Sequence, residues 1–304
     1  MRNVLGIDLG GTKIAAGIVN ENGEILEHKI INTRAKDGKD AVLNNIVSLI
    51  EKLSNEKTVG VGITSPGFVN TDTGFISFAG NISGWSGINL KEEILKLKYI
   101  KNLVVENDAN MALLAEVWEG SAKGFDSSVM LTLGTGLGGG LYIKNTGIIL
   151  GSNFKAGELG HTILYPNGRE CNCGQKGCAE RYIAGTALAT NYNEITGKDL
   201  CSKEVIELID RDLNAAKALD KMISDLAIFI TTISNFIDPE LVVLGGGFTD
   251  SKDIWWEKLI DYYRKYSNSK DKPILKTAKF KNFAGLIGVA KAVFDKSLGG
   301  ERNE

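Results

Sequence analysis

His161, Cys171, Cys173 and Cys178 follow one another as H-x9-C-x-C-x4-C. Four soft or borderline donors at that spacing suit a closed tetrahedral Zn²⁺ site, in which no position remains for a reacting water. The metal expected here is therefore structural. Gly168, Gly174 and Gly177 let the loop turn round the ion. The fourth cysteine, Cys201, stands apart, so the thiols do not form an even disulfide framework. With only two histidines in the chain, a chance meeting of thiols with an imidazole is the weaker explanation. Glu158 and Glu180 flank the cluster, and Asn107-Asp108 follows the apolar run Leu103 to Glu106. Polar groups at strand ends and on braced loops can converge on a hydroxylated ligand. The competing readings are solvated loop charge for the two glutamates and a helix N-cap for Asp108.

Glycine suggests a second chemistry. Gly10-Gly11-Thr12 lies between the apolar runs Val4 to Leu9 and Ile14 to Val19. Gly134-Thr135-Gly136-Leu137-Gly138-Gly139 likewise lies between Val129 to Leu133 and Gly140 to Ile143. Such turns bring backbone N–H groups close to an anion, because no Cβ intervenes and positive φ is open to them. Two of them suit a polyphosphate, while an ordinary hairpin turn is the alternative for either alone. The second also matches G-x-G-x-x-G, with Glu158 at about the spacing of a ribose-binding acid. A dinucleotide fold needs a helix after those glycines, whereas Leu141 to Ile143 running into Lys144-Asn145-Thr146-Gly147 reads as strand and turn. No Walker sequence is present.

The elements that must position these residues alternate in type. Ala41 to Leu53, Ala109 to Glu119, Ser202 to Asp210, Ala215 to Phe236 and Phe283 to Phe294 have helical apolar spacing. Thr58 to Ile63, Leu103 to Glu106 and Leu241 to Leu244 read as buried strands. Aligning Gly10 with Gly134 places Asp8 over Thr132, an offset of 134 − 10 = 124 residues, which suggests duplicated halves. Alternating strands and helices in both halves give an α/β protein of two lobes, as 304 residues allow. Gly is 36 residues and Pro only 4, a balance that favours tight turns over linkers. A formal charge of 35 − 37 = −2 is a poor match to a polyanion and excludes a nucleic-acid binder. Asp8 interrupts the first apolar run, against a secretory signal, and Asn235, Asp238, Pro239 and Glu240 break Leu226 to Leu244, against a membrane span. A cytoplasmic protein is expected.

Five motifs occur in one order: Asp8-Leu9-Gly10-Gly11-Thr12-Lys13, Glu106-Asn107-Asp108-Ala109-Asn110, Leu133 to Gly140, Gly157-Glu158-Leu159-Gly160-His161 and Cys171 to Glu180. Together they resemble the ROK family (repressors, open reading frames and kinases), particularly its bacterial glucokinase-type members, from Asp8 to the final helix. The resemblance implies an actin-like, hexokinase-type (ribonuclease H-like) fold of two α/β lobes, with a central cleft and a structural zinc loop. The implied lobes are 1–116, completed by the C-terminal helix 284–304, and 117–283. It also implies ATP-dependent phosphorylation of the 6-hydroxyl of a hexose. Carried over by position, Asp108 is the catalytic general base. Gly67, Asn81, Asn107, Asp108, Glu158, His161 and Glu180 are the implied sugar-binding residues, His161 serving sugar and zinc alike through its two ring nitrogens. Asp8, Gly10, Gly11, Thr12, Lys13, Thr132, Gly134, Thr135, Gly136, Gly138, Gly245 and Gly246 are the implied ATP residues, with Gly245-Gly246-Gly247 against the adenosine. Mg²⁺ is expected to arrive with ATP, since no dedicated carboxylate cage is visible.

Asn81, four residues before Trp85, resembles the Asn-x-x-x-Trp of glucokinases, whereas Phe68 after Pro66-Gly67 departs from the proline often found there. Glucose is the leading expectation and N-acetylmannosamine the alternative, because kinases of several sugars in the family share nearly one catalytic set. Family repressors carry an N-terminal helix-turn-helix module, for which the seven residues before Asp8 are too few. A non-catalytic sugar sensor is disfavoured by the retained Asp108. The family also implies a homodimer, and Trp255, Trp256, Tyr262 and Tyr263 are candidates for an aromatic patch, with core burial expected for at least half of them.

Overall fold

The apolar runs on either side of the first glycine turn form an antiparallel pair in the computed structural model, which describes residues 2–80, 82–269 and 272–299. These strands are β1 (Asn3–Leu9) and β2 (Lys13–Asn20), and β3 (Ile25–Asn32) extends them. α1 (Lys39–Leu53) follows and buries Val42, Ile46, Leu49, Ile50 and Leu53, the stripe its spacing predicts. Next come β4 (Thr58–Ser65), then β5 (Phe68–Asn70), β6 (Phe75–Phe78) and β7 (Ile88–Asn89), the last three forming a small antiparallel sheet. α2 (Leu90–Leu95), β8 (Leu103–Asn107) and α3 (Asp108–Glu119) complete the first stretch. The main sheet has the order β3-β2-β1-β4-β8, with β1, β4 and β8 parallel.

A second sheet repeats that order. β9 (Ser127–Leu133), β10 (Leu137–Ile143) and β11 (Gly147–Ile148) come first, and after α4 (Glu180–Ile183), α5 (Ala187–Thr196), α6 (Ser202–Leu208) and α7 (Leu213–Ile237) the strand β12 (Leu241–Gly245) joins them. α8 (Trp256–Tyr266), β13 (Ile274–Thr277) and α9 (Ala284–Gly299) end the described chain. The order is β11-β10-β9-β12-β13, with β9, β12 and β13 parallel, matching the first sheet strand for strand. The 124-residue offset read from the two glycine turns thus has its counterpart in topology.

The chain forms two compact units, Met1–Gly124 with Gly140–Ala156 and Lys279–Glu304, and Phe125–Gly139 with Gly157–Ala278. The sequence reading kept 117–283 together, whereas Gly140–Ala156 falls in the first unit, where Gly140 packs so closely on α3 that a Cβ there would lie 3.3 Å from the Ala109 carbonyl oxygen and Leu113. In the first unit, Leu5, Ile7 and Ile63 face a core shared with Val42, Ile46 and Ile50 of α1. The other face of β1 and β4 carries Gly6, Gly60 and Gly62, on which α9 lies. A Cβ at Gly6 would fall 2.2 Å from the Leu286 carbonyl oxygen, and one at Gly62 or Gly60 would strike Val289 or Val293 at 2.8 or 2.6 Å. Glycine is required there by the close approach of a helix.

Of the four clustered aromatics, Trp255 and Tyr263 are core residues, as expected for half of them, while Trp256 and Tyr262 remain partly exposed. Among the described residues no helix is long and apolar enough to cross a membrane.

Candidate active site and metal site

β1, β4 and β8 end side by side, and the carboxyl ends of parallel strands are where α/β sheets place reactive groups. Asp8 is paired with Thr64, and Thr64 with Glu106, in one row across the three strands. The Thr64 hydroxyl donates to Asp8 Oδ1 at 2.5 Å. Burial raises the Asp8 carboxyl above the usual carboxylate range, and that hydrogen bond opposes the rise. Asn107 closes β8 and caps α3: its Oδ1 accepts from the Asn110 N–H at 3.0 Å, and its Nδ2 donates to the Gly67 carbonyl at 3.1 Å.

The cap is therefore Asn107, and Asp108 is the first residue of the helix, its Oδ1 accepting from the Ala109 N–H at 2.9 Å. Desolvation, and after it the negative charge of Asp8, push the Asp108 carboxyl up to about 7. Such a group changes hands with a proton near neutral pH, as a general base requires. Burial also takes Glu106 to about 7, and its Oε2 is buried with no hydrogen-bond partner among the described residues. Gly67 has φ +92°, and a Cβ there would lie 2.0 Å from the Phe78 carbonyl oxygen, so no other residue fits. Asn81 lies outside the described residues. Trp85 is wholly buried and donates from Nε1 to Ser65 Oγ at 2.9 Å, which makes it a brace for the end of β4. Gly11, Thr12 and Lys13 are exposed at the β1–β2 turn, which Thr33 ties down by donating from Oγ1 to the Gly10 carbonyl (2.6 Å) and from its N–H to the Thr12 carbonyl (2.9 Å).

In the second unit the Gly134 N–H donates to the Gly136 carbonyl at 3.0 Å, and the Gly138 N–H to Thr132 Oγ1 at 3.1 Å. Gly245 pairs with Thr132, and Gly246, at φ +84°, sits so that a Cβ would lie 2.5 Å from the Leu133 carbonyl oxygen. Glu180 is half-buried, and its Oε2 accepts from the Leu137 N–H at 3.0 Å. A Cβ on Gly136 would fall 2.5 Å from that oxygen. Glu180 is thus built into the glycine turn and is not a solvated loop charge. The sequence reading appealed to positive φ at these turns, but neither Gly10 and Gly11 nor Gly134, Gly136 and Gly138 adopt it. The lack of a side chain is used for approach alone at Gly10 and Gly136, where a Cβ would be 2.9 Å from the Lys13 carbonyl oxygen and 2.5 Å from Glu180.

Glu158 precedes the short 3-10 turn Leu159–His161, and its carbonyl accepts from the His161 N–H at 3.1 Å. The ligand atoms of His161, Cys171, Cys173 and Cys178 all lie within 4.8 Å of one another. His161 Nδ1 is 3.7 Å from Cys171 Sγ, and Cys173 Sγ is 3.6 Å from Cys178 Sγ. Zinc bonds of about 2.0–2.3 Å in a tetrahedron imply donor separations of roughly 3.5–3.8 Å, which these two pairs match, and the donor set of one imidazole and three thiols suits the ion. Gly177, at φ +80°, lets the loop close against Tyr165, whose carbonyl oxygen would be 1.7 Å from a Cβ. Sequence reasoning missed the brace behind this loop. Arg169 donates to Glu194 Oε1 (2.9 Å), Asn191 Oδ1 (2.8 Å) and the Arg181 carbonyl (2.7 Å), and stacks 4.7 Å above the Tyr182 ring. Thr64 was missed too, although a hydroxyl at the end of the apolar run Val59 to Ile63 was a signal in plain view.

Asp8, Gly67, Asn107 and Asp108 thus gather in the first unit, and Thr132 to Gly138, Gly245, Gly246, Glu180 and the loop of His161 and the three cysteines in the second. The sequence pattern of the ROK family matches residues 4–296. The chain belongs to the ROK family. Among the relatives of this ROK chain, the glucokinase of Halalkalibacterium halodurans is 32% identical over 308 residues, spanning 93% of this chain and 92% of that one. The N-acetyl-D-glucosamine kinase of Histophilus somni is 33% identical over 302 residues, 94% and 97% of the two chains. A ROK family glucokinase from Streptomyces griseus, solved with glucose and AMPPNP, superposes with a TM-score of 0.84 at 28% identity, covering 96% of this chain and 99% of that one. The ROK chain therefore has the α/β fold with mixed sheets of these hexokinase-type structures.

Proposed function

We propose that this ROK chain is an ATP-dependent kinase that phosphorylates the 6-hydroxyl of a hexose, glucose first, with Asp108 as its general base. The observation that carries the reading is a carboxylate fixed at the start of α3 and held near neutrality, so that it can take a proton from a sugar hydroxyl at physiological pH. In the transfer the sugar oxygen bonds to the γ-phosphorus of Mg·ATP, the bond from that phosphorus to the bridging oxygen breaks, ADP leaves, and the hydroxyl proton passes to Asp108. Such a reaction needs positioning and charge stabilisation more than covalent help from the protein.

In the first unit, Gly67, Asn81, Asn107 and Asp108 are assigned to the sugar, and Asp8 with Gly10, Gly11, Thr12 and Lys13 to Mg·ATP. In the second, Glu158, His161 and Glu180 are assigned to the sugar, Thr132, Gly134, Thr135, Gly136 and Gly138 to the phosphates, and Gly245 and Gly246 to the adenosine. His161, Cys171, Cys173 and Cys178 would hold Zn²⁺, which supplies rigidity to the loop and no reacting water. Ligation through Nδ1 of His161 makes Nε2 the atom that addresses a sugar oxygen. The relatives that act on glucose support glucose, and the N-acetyl-D-glucosamine kinase supports the alternative of an N-acetylhexosamine, N-acetylmannosamine foremost. A cytoplasmic homodimer completes the proposal.

The test is ADP release by zinc-replete protein with Mg·ATP against glucose, N-acetylmannosamine, N-acetylglucosamine, allose and fructose. Preference for glucose or N-acetylmannosamine supports the corresponding reading. Asp108→Ala is expected to lose turnover by a factor of about 100 or more while still binding the sugar. Equal turnover by this variant would remove Asp108 from the mechanism, and silence with all five sugars would favour a sensor.

A further inference from the structure

Asp8 is held on two sides by residues that no motif includes. On one side is Thr64, fully buried on the neighbouring parallel strand, whose hydroxyl reaches Asp8 Oδ1 at 2.5 Å. The register pairs these two residues directly, so the hydrogen bond follows from the strand pairing itself. On the other side is Gly285, the second residue of α9. A Cβ there would lie 2.5 Å from Asp8 Cγ and Oδ1 and 2.8 Å from Oδ2, so both carboxylate oxygens rest against helix backbone.

The helix has nowhere to retreat. Its Leu286 carbonyl oxygen already meets Gly6, its Val289 and Val293 already fill the space over Gly62 and Gly60, and a Cβ on its Gly288 would lie 1.7 Å from the Met111 carbonyl oxygen. A methyl group at position 285 would therefore be accommodated by turning the short Asp8 side chain away, which breaks the bond from Thr64. A donor on one side and a bare helix turn on the other leave the carboxylate a single orientation before any nucleotide arrives. Pre-set orientation of this kind lowers the ordering cost of binding.

We infer that Thr64 and Gly285 are positioning residues, which together fix the Asp8 carboxylate in the orientation that serves Mg·ATP. The inference rests on the assignment of Asp8 to the nucleotide. Neither residue touches the reacting atoms, and their effect is carried wholly by Asp8.

Steady-state kinetics of the zinc-replete protein, with KM measured separately for Mg·ATP and for the sugar preferred in the panel above, tests it. Thr64→Val keeps the side-chain shape and removes the donor. Thr64→Ser keeps the donor. Gly285→Ala improves helix propensity and adds only the methyl. Thr64→Val and Gly285→Ala are each expected to raise the KM for Mg·ATP roughly tenfold, the scale of one lost hydrogen bond to a charged group. The KM for the sugar should stay within about twofold, and Thr64→Ser should behave as the parent does. Val293→Ala loosens α9 without approaching Asp8 and should lower the melting temperature while leaving both KM values in place. If Asp8→Asn raises the KM for Mg·ATP but Thr64→Val and Gly285→Ala do not, the inference is overturned. If Asp8→Asn itself leaves nucleotide kinetics unchanged, it is the assignment of Asp8 that fails. Should Gly285→Ala not fold, Thr64→Val against Thr64→Ser decides.

Discussion

Asp108 stands at the amino end of α3, a place that ordinarily favours a carboxylate. The helix terminus contributes about 1 kcal/mol there, less than a tenfold change in proton affinity, so desolvation and the charge of Asp8 prevail and the carboxyl lies at about 7. Two consequences follow for pH. With Asp108 as the proposed base, turnover would need its ionised form, so kcat/KM should fall tenfold per pH unit below a midpoint near 7, and a profile flat down to pH 5 would contradict the assignment. Stability moves the other way. The folded value lies above the unfolded one of about 4, so between about pH 4 and 7 the folded state binds more protons and is progressively weakened as pH rises. Asp108→Asn should accordingly raise the melting temperature at pH 8 and leave it nearly unchanged at pH 4, a comparison that two thermal melts of each protein supply. Residue types and spacing made Asp108 and the four metal ligands legible in the sequence. They left Asp108 suspended between a ligand-binding carboxylate and a helix cap, the role of base being implied by the family resemblance alone, because the cap at Asn107 becomes visible only when its Oδ1 is seen on the Asn110 N–H.

Elements with one clean face were legible and elements without one were not. α1 and α7 bury a helical stripe, and β1, β4 and β12 are apolar runs, so all five stand within a few residues of their predicted bounds. β3 is exposed along most of its length, and β5, β6 and β7 are two to four residues each, so neither alternation nor an apolar run marks them. The loop that carries His161 and the three cysteines combines two kinds of chemistry, a proposed zinc site and an arginine brace. Its cysteines were readable, but the Arg169 brace joins it to α5 through residues 22 and 25 positions away, a pairing no local pattern encodes. Metal analysis should find about one zinc ion per chain in the parent and much less in Cys171→Ser, which should also raise the KM for sugar because His161 loses its anchor. Arg169→Ala should retain zinc yet cost about 2–4 kcal/mol in chemical denaturation, since it leaves Asn191 and the Arg181 carbonyl without their partner. Loss of zinc from the arginine variant would mean that the ligands depend on the brace as well.

On the scale of the whole chain, the repeated sheet order is the feature the two glycine turns foretold. The family resemblance implied that the C-terminal helix completes the first lobe; what neither it nor the turns foretold is the middle stretch of that unit, Gly140–Ala156. Glu116, fully buried in α3, accepts from the backbone N–H groups of Lys279 (2.8 Å) and Phe280 (2.9 Å) and so pins the return of the chain to that unit. Glu116→Gln should destabilise by about 1–3 kcal/mol in urea unfolding, because its amide nitrogen cannot accept, so either the Ser121 N–H now on Oε2 (2.6 Å) or the Lys279 and Phe280 N–H groups on Oε1 lose their acceptor.

The roofing of β1 by α9 also sets an order of events at birth. The first strand leaves the ribosome roughly 275 residues before the helix that covers its glycine face, an interval on the order of tens of seconds at ordinary rates of synthesis. For that time the nascent sheet must wait with one side bare, open to chaperones or to misplaced strands. Its fold is sealed only once α9 has emerged, so a ribosome stalled before the codons of that helix would hold a chain whose second unit is complete in sequence and whose first unit has no roof.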